Sequence, residues 1–204
     1  MKALIIVDLQ NDFLPGGALA VPHGDEVIPY INAIQADYDL VVATQDWHPA
    51  DHGSFASVHP GTQFLETIEL NGIPQVLWPN HCVQGTFGAA LNERLDQKRI
   101  AAIFRKGMDP MVDSYSGFFD NWRLYSTGME MYLKGKGVTE VAVCGLAADY
   151  CVFFTARDAL ELGFETEILT FATRAIDAQG WDDVRRAFVA LGGSLKERYE
   201  GIYP

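Results

Sequence analysis

Short runs of consecutive apolar residues recur along the chain, each bounded by turn-forming residues. Such runs are typical of strands buried on both faces of a parallel sheet. The predicted strands are Ala3–Val7, Leu40–Thr44, Ile100–Phe104, Glu140–Cys144 and Thr166–Leu169, with Gln75–Leu77 as a short additional candidate.

Between the strands, apolar residues repeat at helical spacing. The residues of the two clearest patterns are Val27, Ile28, Ile31 and Ile34, and later Val184, Ala187, Phe188 and Leu191. The stretch Tyr150–Leu162 is apolar nearly all round, which predicts a buried helix with Gly163 as its C-cap. This alternation predicts one domain over residues 1–204, a three-layer α/β/α fold around a central, mainly parallel sheet.

Composition narrows the classes of partner and compartment. The net charge of −12 disfavours binding to nucleic acid or to an anionic membrane. No apolar stretch approaches the roughly 20 residues that span a bilayer, and the run ending at Asp8 is too short for a signal peptide. Three cysteines argue against a disulfide framework, so we expect a cytoplasmic protein. The sequence leaves the oligomeric state open, including a homo-oligomer.

Two long segments, Asp46–Pro74 and Lys106–Asn121, interrupt the regular alternation and follow directly on strands. Long irregular segments in a compact domain are usually functional, and ligands of open α/β sheets bind at the carboxyl ends of the strands. The polar residues and segment at such ends are Asp8, Asp46, Lys106 and Gly145–Cys151. We therefore expect them to meet in one crevice.

Cys151 is the candidate nucleophile of that crevice. It falls in the first turn of the predicted buried helix, where the helix dipole and free N–H groups favour a thiolate and could hold an oxyanion. The alternative is a buried structural cysteine, since free cysteines are often core residues. Cys144 lies inside an apolar strand and is interpreted as a core residue.

Asp8 and Lys106 each end a predicted strand, where an unpaired charge is costly. One interpretation is a purely structural ion pair between them. The other combines them with Cys151 into a catalytic cluster, with the carboxylate as base, the ammonium as electrostatic stabiliser and the cysteine as nucleophile.

A candidate metal site comes from Asp46 and His48, which share a face in an extended segment, and from His81 further along the chain. Two imidazoles and a carboxylate are common ligands of zinc, iron or manganese. His52 is either a fourth ligand or a neighbour that supports the ligands. The alternative is a set of surface histidines in a loop.

At this point the residues resemble the nicotinamidase/pyrazinamidase branch of the isochorismatase-like cysteine hydrolases. Each motif alone is weak, but all of them occur in the order of that family and cover essentially the whole chain. The motifs are Val7-Asp8-Leu9-Gln10-Asn11-Asp12-Phe13, Thr44-Gln45-Asp46-Trp47-His48-Pro49, Trp78-Pro79-Asn80-His81-Cys82-Val83, Lys106-Gly107, Tyr115-Ser116-Gly117-Phe118 and Gly145-Leu146-Ala147-Ala148-Asp149-Tyr150-Cys151-Val152.

The resemblance implies a role for each matching residue. The implied catalytic residues are Asp8, Lys106 and Cys151, the implied metal ligands are Asp46, His48 and His81, and the implied pocket residues are Phe13, Trp78 and Tyr115. It further implies an oxyanion hole formed by the backbone N–H groups of Ala147 and Cys151, and a cis peptide between Leu146 and Ala147.

The implied activity is hydrolysis of nicotinamide to nicotinate and ammonia, within NAD salvage, with pyrazinamide as a further substrate. The implied cofactor is one divalent metal ion that binds the pyridine nitrogen, with zinc first and iron or manganese as alternatives; no organic cofactor is expected. Two other interpretations stay open: a hydrolase of the same superfamily with another substrate, and a non-catalytic binding protein on the same fold.

Overall fold

The computed structural model describes residues 1–199. Its strands are β1 (Lys2–Val7), β2 (Leu40–Asp46), β3 (Thr67–Leu70), β4 (Ile73–Val76), β5 (Ile100–Lys106), β6 (Glu140–Leu146), β7 (Glu165–Arg174) and β8 (Ser194–Lys196). Within this range, six of them form one sheet in the order β5-β2-β1-β6-β7-β8, and each neighbouring pair is parallel. The carboxyl ends of the central strands therefore lie at one edge.

The helices are α1 (Val27–Ile34), α2 (Met129–Gly135), α3 (Phe153–Glu161) and α4 (Ala178–Ala190). A π-helical turn, Ala148–Val152, leads directly into α3. At the start of α4 the Asp177 carboxylate accepts hydrogen bonds from two backbone N–H groups, the arrangement of an N-cap. Gly163 follows α3 with a φ of 89°, as expected for the residue after a helix end. Within residues 1–199, no helix has the length and apolar character needed to cross a bilayer.

Strand β1 illustrates why the predicted strands are apolar throughout. Leu4 and Ile6 pack into the cluster that contains the buried face of α1. Ala3, Ile5 and Val7 point to the opposite face, into the cluster that contains buried residues of α2, α3 and α4. Because successive side chains alternate between faces, a strand covered on both sides is apolar at every position. The three layers are thus α1, the sheet, and the group of three helices.

All five main predicted strands are confirmed, but the irregular segment Asp46–Pro74 holds more structure than predicted. It contains β3, which pairs antiparallel with β4 in a separate hairpin, so the candidate strand Gln75–Leu77 does not belong to the main sheet. The pattern also misses α2 and β8, which are only seven and three residues long. Leu191 lies beyond the end of α4 and is 57% exposed, so it is not on the buried face of that helix.

Candidate active site

The Lys106 side chain, fully buried at the end of β5, is the centre of the polar crevice. Its Nζ atom lies 2.9 Å from Asp8 Oδ2, 3.0 Å from Asp46 Oδ1 and 2.8 Å from the carbonyl oxygen of Ser114. The Sγ atom of Cys151 is 3.4 Å away. The polar residues expected at the strand ends therefore do lie together. Asp8 after β1, Asp46 at the end of β2 and Cys151 after β6 all approach the ammonium group at the end of β5.

This ammonium stays charged despite its burial. Burial by itself lowers the pKa of Lys106, but the negative charges of Asp46 and Asp8 outweigh it and hold the pKa well above its usual value. This buried cation thus pairs with two carboxylates. Its removal would leave Asp8 without a counter-charge, while Asp46 would keep its contact with His48.

Asp8 is held by a neighbour that the sequence did not single out. The Thr44 hydroxyl donates to Asp8 Oδ1 at 2.6 Å, and the Asp8 backbone N–H donates to the same hydroxyl oxygen at 3.2 Å. Burial raises the pKa of Asp8 above its usual value, although Lys106 opposes the shift. Thr44 precedes Asp46 by two residues on β2, and this shared face is the signal that could have identified it.

Cys151 reaches the crevice through an unusual turn. Gly145, near the end of β6, has a φ of 106°, and a Cβ there would lie 2.1 Å from the backbone oxygen of Val7. The peptide bond Leu146–Ala147 is cis, as the resemblance implies. The π-helical turn that follows carries Cys151 at its fourth position, with the Val152 N–H bonded to the Ala147 oxygen.

The expectation that the helix start favours a Cys151 thiolate needs correction. Burial raises the pKa of Cys151 well above its usual value; Lys106 lowers it, and Asp8 and Asp46 raise it further. The resting side chain is therefore a neutral thiol, and a base must remove its proton during any attack.

Beside this cluster, Asp46 gathers two histidines. Its Oδ2 atom is 3.0 Å from His48 Nε2 and 3.3 Å from His81 Nε2. The Nδ1 atoms of the two rings face the carbonyl oxygens of Gly107 and Pro79, each at 2.8 Å. A carbonyl oxygen only accepts, so both Nδ1 atoms carry hydrogen and both Nε2 atoms turn towards the carboxylate.

This geometry fits a cation. An Nε2 lone pair facing a carboxylate oxygen is favourable only when a proton or a metal ion lies between the two. The three side chains are buried, and their ligand atoms lie within 4.8 Å of one another. The donor set of two imidazoles and one carboxylate suits zinc, iron or manganese.

His52 is placed apart from those three ligand candidates. Its Nδ1 atom accepts the Ser54 backbone N–H at 3.1 Å, which puts the ring hydrogen on Nε2, the tautomer that cannot bind a metal through Nε2. Among residues 1–199 this Nε2 has no hydrogen-bond partner. His52 belongs instead to a second group of possible metal ligands, with His48 and Asp113, so the structure places it outside the group of Asp46, His48 and His81.

An aromatic cavity opens beside Cys151 and beside the candidate metal ligands Asp46 and His81. Trp78 stands edge-on to Tyr150, with ring centroids 4.9 Å apart, and its Nε1 donates to the Tyr115 hydroxyl at 3.2 Å. Phe13 packs edge-on to His81 at 5.5 Å. The residues that line the cavity are Phe13, Leu19, Asp46, Trp78, His81, Asp113, Tyr115, Ala147, Tyr150, Cys151 and Ile176.

All three predicted pocket residues therefore lie on this cavity, next to Cys151. Leu19, Asp113 and Ile176 were not predicted, because nothing in their local sequence marks them. Tyr150 adjoins Cys151 in the sequence, and that adjacency could have marked it.

With this geometry established, comparison with known proteins gives the family. The family model for the isochorismatase domain matches residues 2–195. The chain belongs to the isochorismatase family. Its fold and its resemblance to the nicotinamidase/pyrazinamidase branch are both confirmed by the relatives of this family.

Three similar members of the isochorismatase family show how far the likeness extends. The nicotinamidase of Escherichia coli (strain K12) is 47% identical over 197 residues, which cover 95% of this chain and 92% of that protein. The nicotinamidase/pyrazinamidase structure of Acinetobacter baumanii is 43% identical with a TM-score of 0.93, covering 96% and 95% of the two chains. The pyrazinamidase of Pyrococcus horikoshii in complex with zinc is 36% identical with a TM-score of 0.80, covering 97% and 99%.

Proposed function

We propose that this chain is a nicotinamidase, which hydrolyses the carboxamide of nicotinamide to nicotinate and ammonia. The observation that carries the proposal is the placement of Cys151, Asp8 and Asp46 around the Lys106 ammonium, with Cys151 and Asp46 lining an aromatic cavity. The coarser conclusion, a hydrolase of amide bonds, follows from the 47% identity to a curated nicotinamidase.

The first step is attack on the carboxamide carbon by Cys151. Because its pKa is raised, the thiol must lose its proton as the C–S bond forms, and the raised pKa of Asp8 suits that carboxylate to accept it. Lys106 remains an ammonium throughout and offsets the negative charge that moves through the site. The backbone N–H groups of Ala147 and Cys151 are our candidates for the oxyanion hole.

The tetrahedral intermediate then collapses. The oxyanion re-forms the C=O bond and the C–N bond breaks, as protonated Asp8 gives its proton to the departing nitrogen. Ammonia leaves, and the acyl group remains on Cys151 as a thioester. A water molecule attacks the thioester carbon, with Asp8 again accepting a proton. The C–S bond breaks, the Cys151 sulfur takes the proton back from Asp8, and the product leaves as nicotinic acid, which gives its carboxyl proton to water and becomes nicotinate.

The ring would lie between Phe13 and Trp78, with Tyr115 closing one side. Asp46, His48 and His81 would hold a divalent metal ion, zinc first and iron or manganese as alternatives. When bound, this ion supplies a Lewis acid for the pyridine nitrogen. The zinc complex of the Pyrococcus horikoshii relative supports this assignment.

The proposal extends to pyrazinamide, whose ring also offers a nitrogen at the corresponding position, and it gives the reaction a place in NAD salvage. We further propose a cytoplasmic location and a single domain over residues 1–204. His52 is proposed to support the ligands and not to bind the metal.

The test is ammonia release by the purified protein from nicotinamide, pyrazinamide and benzamide, with the metal content of the same sample measured. We expect turnover of nicotinamide, little turnover of benzamide, and none by Cys151→Ala. Metal removal should weaken nicotinamide binding by roughly 10²-fold and benzamide binding hardly at all. Equal losses for both compounds would contradict the role given to the ring nitrogen.

Other outcomes would replace the proposal. Ammonia release from a carbamoyl amine or a ureido compound, with none from nicotinamide, would indicate another hydrolase of the isochorismatase family. No release from any amide, together with a cysteine that iodoacetamide does not alkylate, would indicate a binding protein.

A further inference from the structure

Asp12 lies close to the cavity but is absent from its lining, and its hydrogen bonds set it apart from Asp8 and Asp46. It sits in the 3₁₀ turn Asn11–Phe13 that follows β1. Its Oδ2 atom accepts the backbone N–H of Cys82 at 2.7 Å, and its Oδ1 atom accepts the backbone N–H of Ala18 at 3.2 Å. Both oxygens therefore hold main chain from other segments.

The backbone of Asp12 extends the same network. Its N–H donates to the oxygen of Gly88 at 3.0 Å, and its oxygen accepts the N–H of Leu19 at 3.0 Å. One residue thus connects its own turn to three segments: Ala18–Leu19, Cys82 and Gly88.

The turn of Asp12 and two of the segments connected to it, those of Ala18–Leu19 and Cys82, each present a side chain to the cavity. Phe13 follows Asp12, Leu19 follows Ala18, and His81 precedes Cys82. Cys82 has a φ of 47°, a conformation that a residue with a side chain rarely adopts. Two hydrogen bonds hold its backbone there, one from its N–H to Asp12 and one from the His48 N–H to its carbonyl oxygen at 3.0 Å. A charged acceptor makes the bond to Asp12 stronger than a neutral one would.

Two glycines make room for Asp12. A Cβ at Gly88 would lie 2.1 Å from Asp12 Oδ2, and a Cβ at Gly17 would lie 2.4 Å from the Asp12 backbone oxygen. Neither glycine has the positive φ that commonly requires this residue type. Space for Asp12 is therefore the reason the structure gives for glycine at position 88, and at position 17 it shares that role with the backbone oxygen of Asn11, also at 2.4 Å.

We infer that Asp12 is a positioning residue, which sets the placement of Phe13 and of the proposed metal ligand His81 at the substrate cavity without touching a reacting group. The expected change in KM for nicotinamide rests on the proposed function, but the expected change in Zn²⁺ affinity does not. Outer hydrogen bonds that orient a metal ligand typically change metal affinity by roughly 10–100-fold when they are removed.

The test compares Asp12→Asn with the wild-type protein and with Asp39→Asn. Asp39 is a matched control, because its carboxylate also accepts a backbone N–H distant in sequence, that of Lys2 at 2.9 Å, but at the opposite end of the sheet. Zn²⁺ affinity is measured by chelator competition, and KM and kcat for nicotinamide are measured separately.

For Asp12→Asn we expect Zn²⁺ affinity to fall by about tenfold or more and KM to rise about tenfold, with kcat within about threefold of the wild type. Alkylation of Cys151 by iodoacetamide should be unchanged, and Asp39→Asn should behave as the wild type in all these measurements. A variant with unchanged Zn²⁺ affinity, or one that loses kcat alone, would overturn the inference, as would a wild-type chain that binds no Zn²⁺.

A second variant covers the case in which Asp12→Asn does not fold. Gly88→Ala places a methyl group against the carboxylate while Asp12 keeps its charge, so the same loss of Zn²⁺ affinity is expected. Gly135→Ala, where a Cβ meets nothing within 4 Å, is its control. Absence of nicotinamide turnover in the wild type would remove the proposed function, while the Zn²⁺ measurements would still decide the role of Asp12.

Discussion

The ends of β1 and β2 carry two aspartates that look equivalent but lie in different electrostatic surroundings. Asp8 and Asp46 both contact the Lys106 ammonium, at 2.9 and 3.0 Å. Burial raises the pKa of Asp8, and Lys106 only partly opposes it. Burial acts on Asp46 in the same direction, but the charges of His48 and Lys106 outweigh it and hold that pKa well below its usual value.

This difference separates two kinds of chemistry in one crevice. A carboxyl group with a raised pKa can accept and return a proton, as the proposed mechanism asks of Asp8. A carboxylate with a lowered pKa stays an anion and suits a cation site, as proposed for Asp46. Lys106 contacts both aspartates, so it connects the half of the crevice around Asp8 and Cys151 with the half around Asp46 and its two histidines. Substitutions in one half test how far the other half depends on it.

The largest expected effect is the loss of kcat when Cys151, the proposed nucleophile beside Asp8, is replaced. Cys151→Ala should lower kcat by more than about 10³-fold, because no other group can form the thioester. Zn²⁺ affinity should stay within about twofold of the wild type, since the thiol is not one of the proposed ligands. Steady-state kinetics and chelator competition measure the two. Cys82→Ala is the control and should keep near-normal activity; a Cys151→Ala variant with more than about 10% of wild-type kcat would remove the nucleophile assignment.

The next effect concerns Asp8 itself. Asp8→Asn should lower kcat by at least about 10²-fold, because the amide cannot accept the thiol proton. Affinity for Zn²⁺ and for nicotinate should change much less, since the Asp46 half keeps its ligands. Single-turnover kinetics and nicotinate titration would measure this. If kcat stays within about tenfold of the wild type, Asp8 is only the structural partner of Lys106.

In the half of the crevice around Asp46, Gly107→Ala should disturb the metal site without replacing a ligand. A Cβ at this position would lie 2.5 Å from His48 Cε1 and 2.9 Å from Asp46 Oδ1. We expect a loss of Zn²⁺ affinity of roughly 10–100-fold by chelator competition. Alkylation of Cys151 should change little.

Gly128→Ala is the matched control for that substitution. Gly128 has a φ of 87° and Gly107 a φ of 65°, but a Cβ at Gly128 meets nothing within 4 Å. Both variants therefore carry backbone strain, and only Gly107→Ala carries the clash. Equal Zn²⁺ affinities in the two would mean that the clash at His48 has no consequence for the metal.

The sequence predicts which residues meet in this crevice better than it predicts which of them contact one another. Asp8, Lys106 and Cys151 could be grouped because the carboxyl ends of parallel strands meet at one edge. That Asp46 shares Lys106 could not be predicted, because it depends on the β2–β5 register, which pairs Asp46 with Lys106 across the sheet. Register and strand order are set by packing between distant segments, which local patterns do not contain.

The pKa of Cys151 is a second property that local sequence does not predict. A position at a helix start suggests a low pKa, but the degree of burial decides the direction of the shift, and burial is a property of the whole fold. The missed elements have a similar cause: α2 buries only Met129 and Leu133, too few positions for a periodic pattern.

The smallest expected effect tests the shared lysine. Lys106 lowers the pKa of Cys151, although burial prevails, so its removal should reduce the thiolate fraction further. Lys106→Ala should therefore slow alkylation of Cys151 by iodoacetamide at neutral pH, by at least about threefold. Peptide mapping identifies the alkylated cysteine. A thermal melt establishes that the variant is folded, because Lys106→Ala leaves the buried Asp8 without its counter-charge.

Lys134→Ala is the control, because Lys134 pairs with Glu130 on the exposed surface of α2 and should leave alkylation unchanged. Asp8→Asn adds a second comparison: with the carboxylate neutralised, the cation acts on the thiol with less opposition, so a folded Asp8→Asn chain should be alkylated no more slowly than a folded Lys106→Ala chain. An alkylation rate that Lys106→Ala leaves unchanged would mean that the ammonium pairs the two aspartates and does nothing for the thiol. The opposite pKa shifts of Asp8 and Asp46 would then bear on the stability of the crevice and not on the reactivity of Cys151.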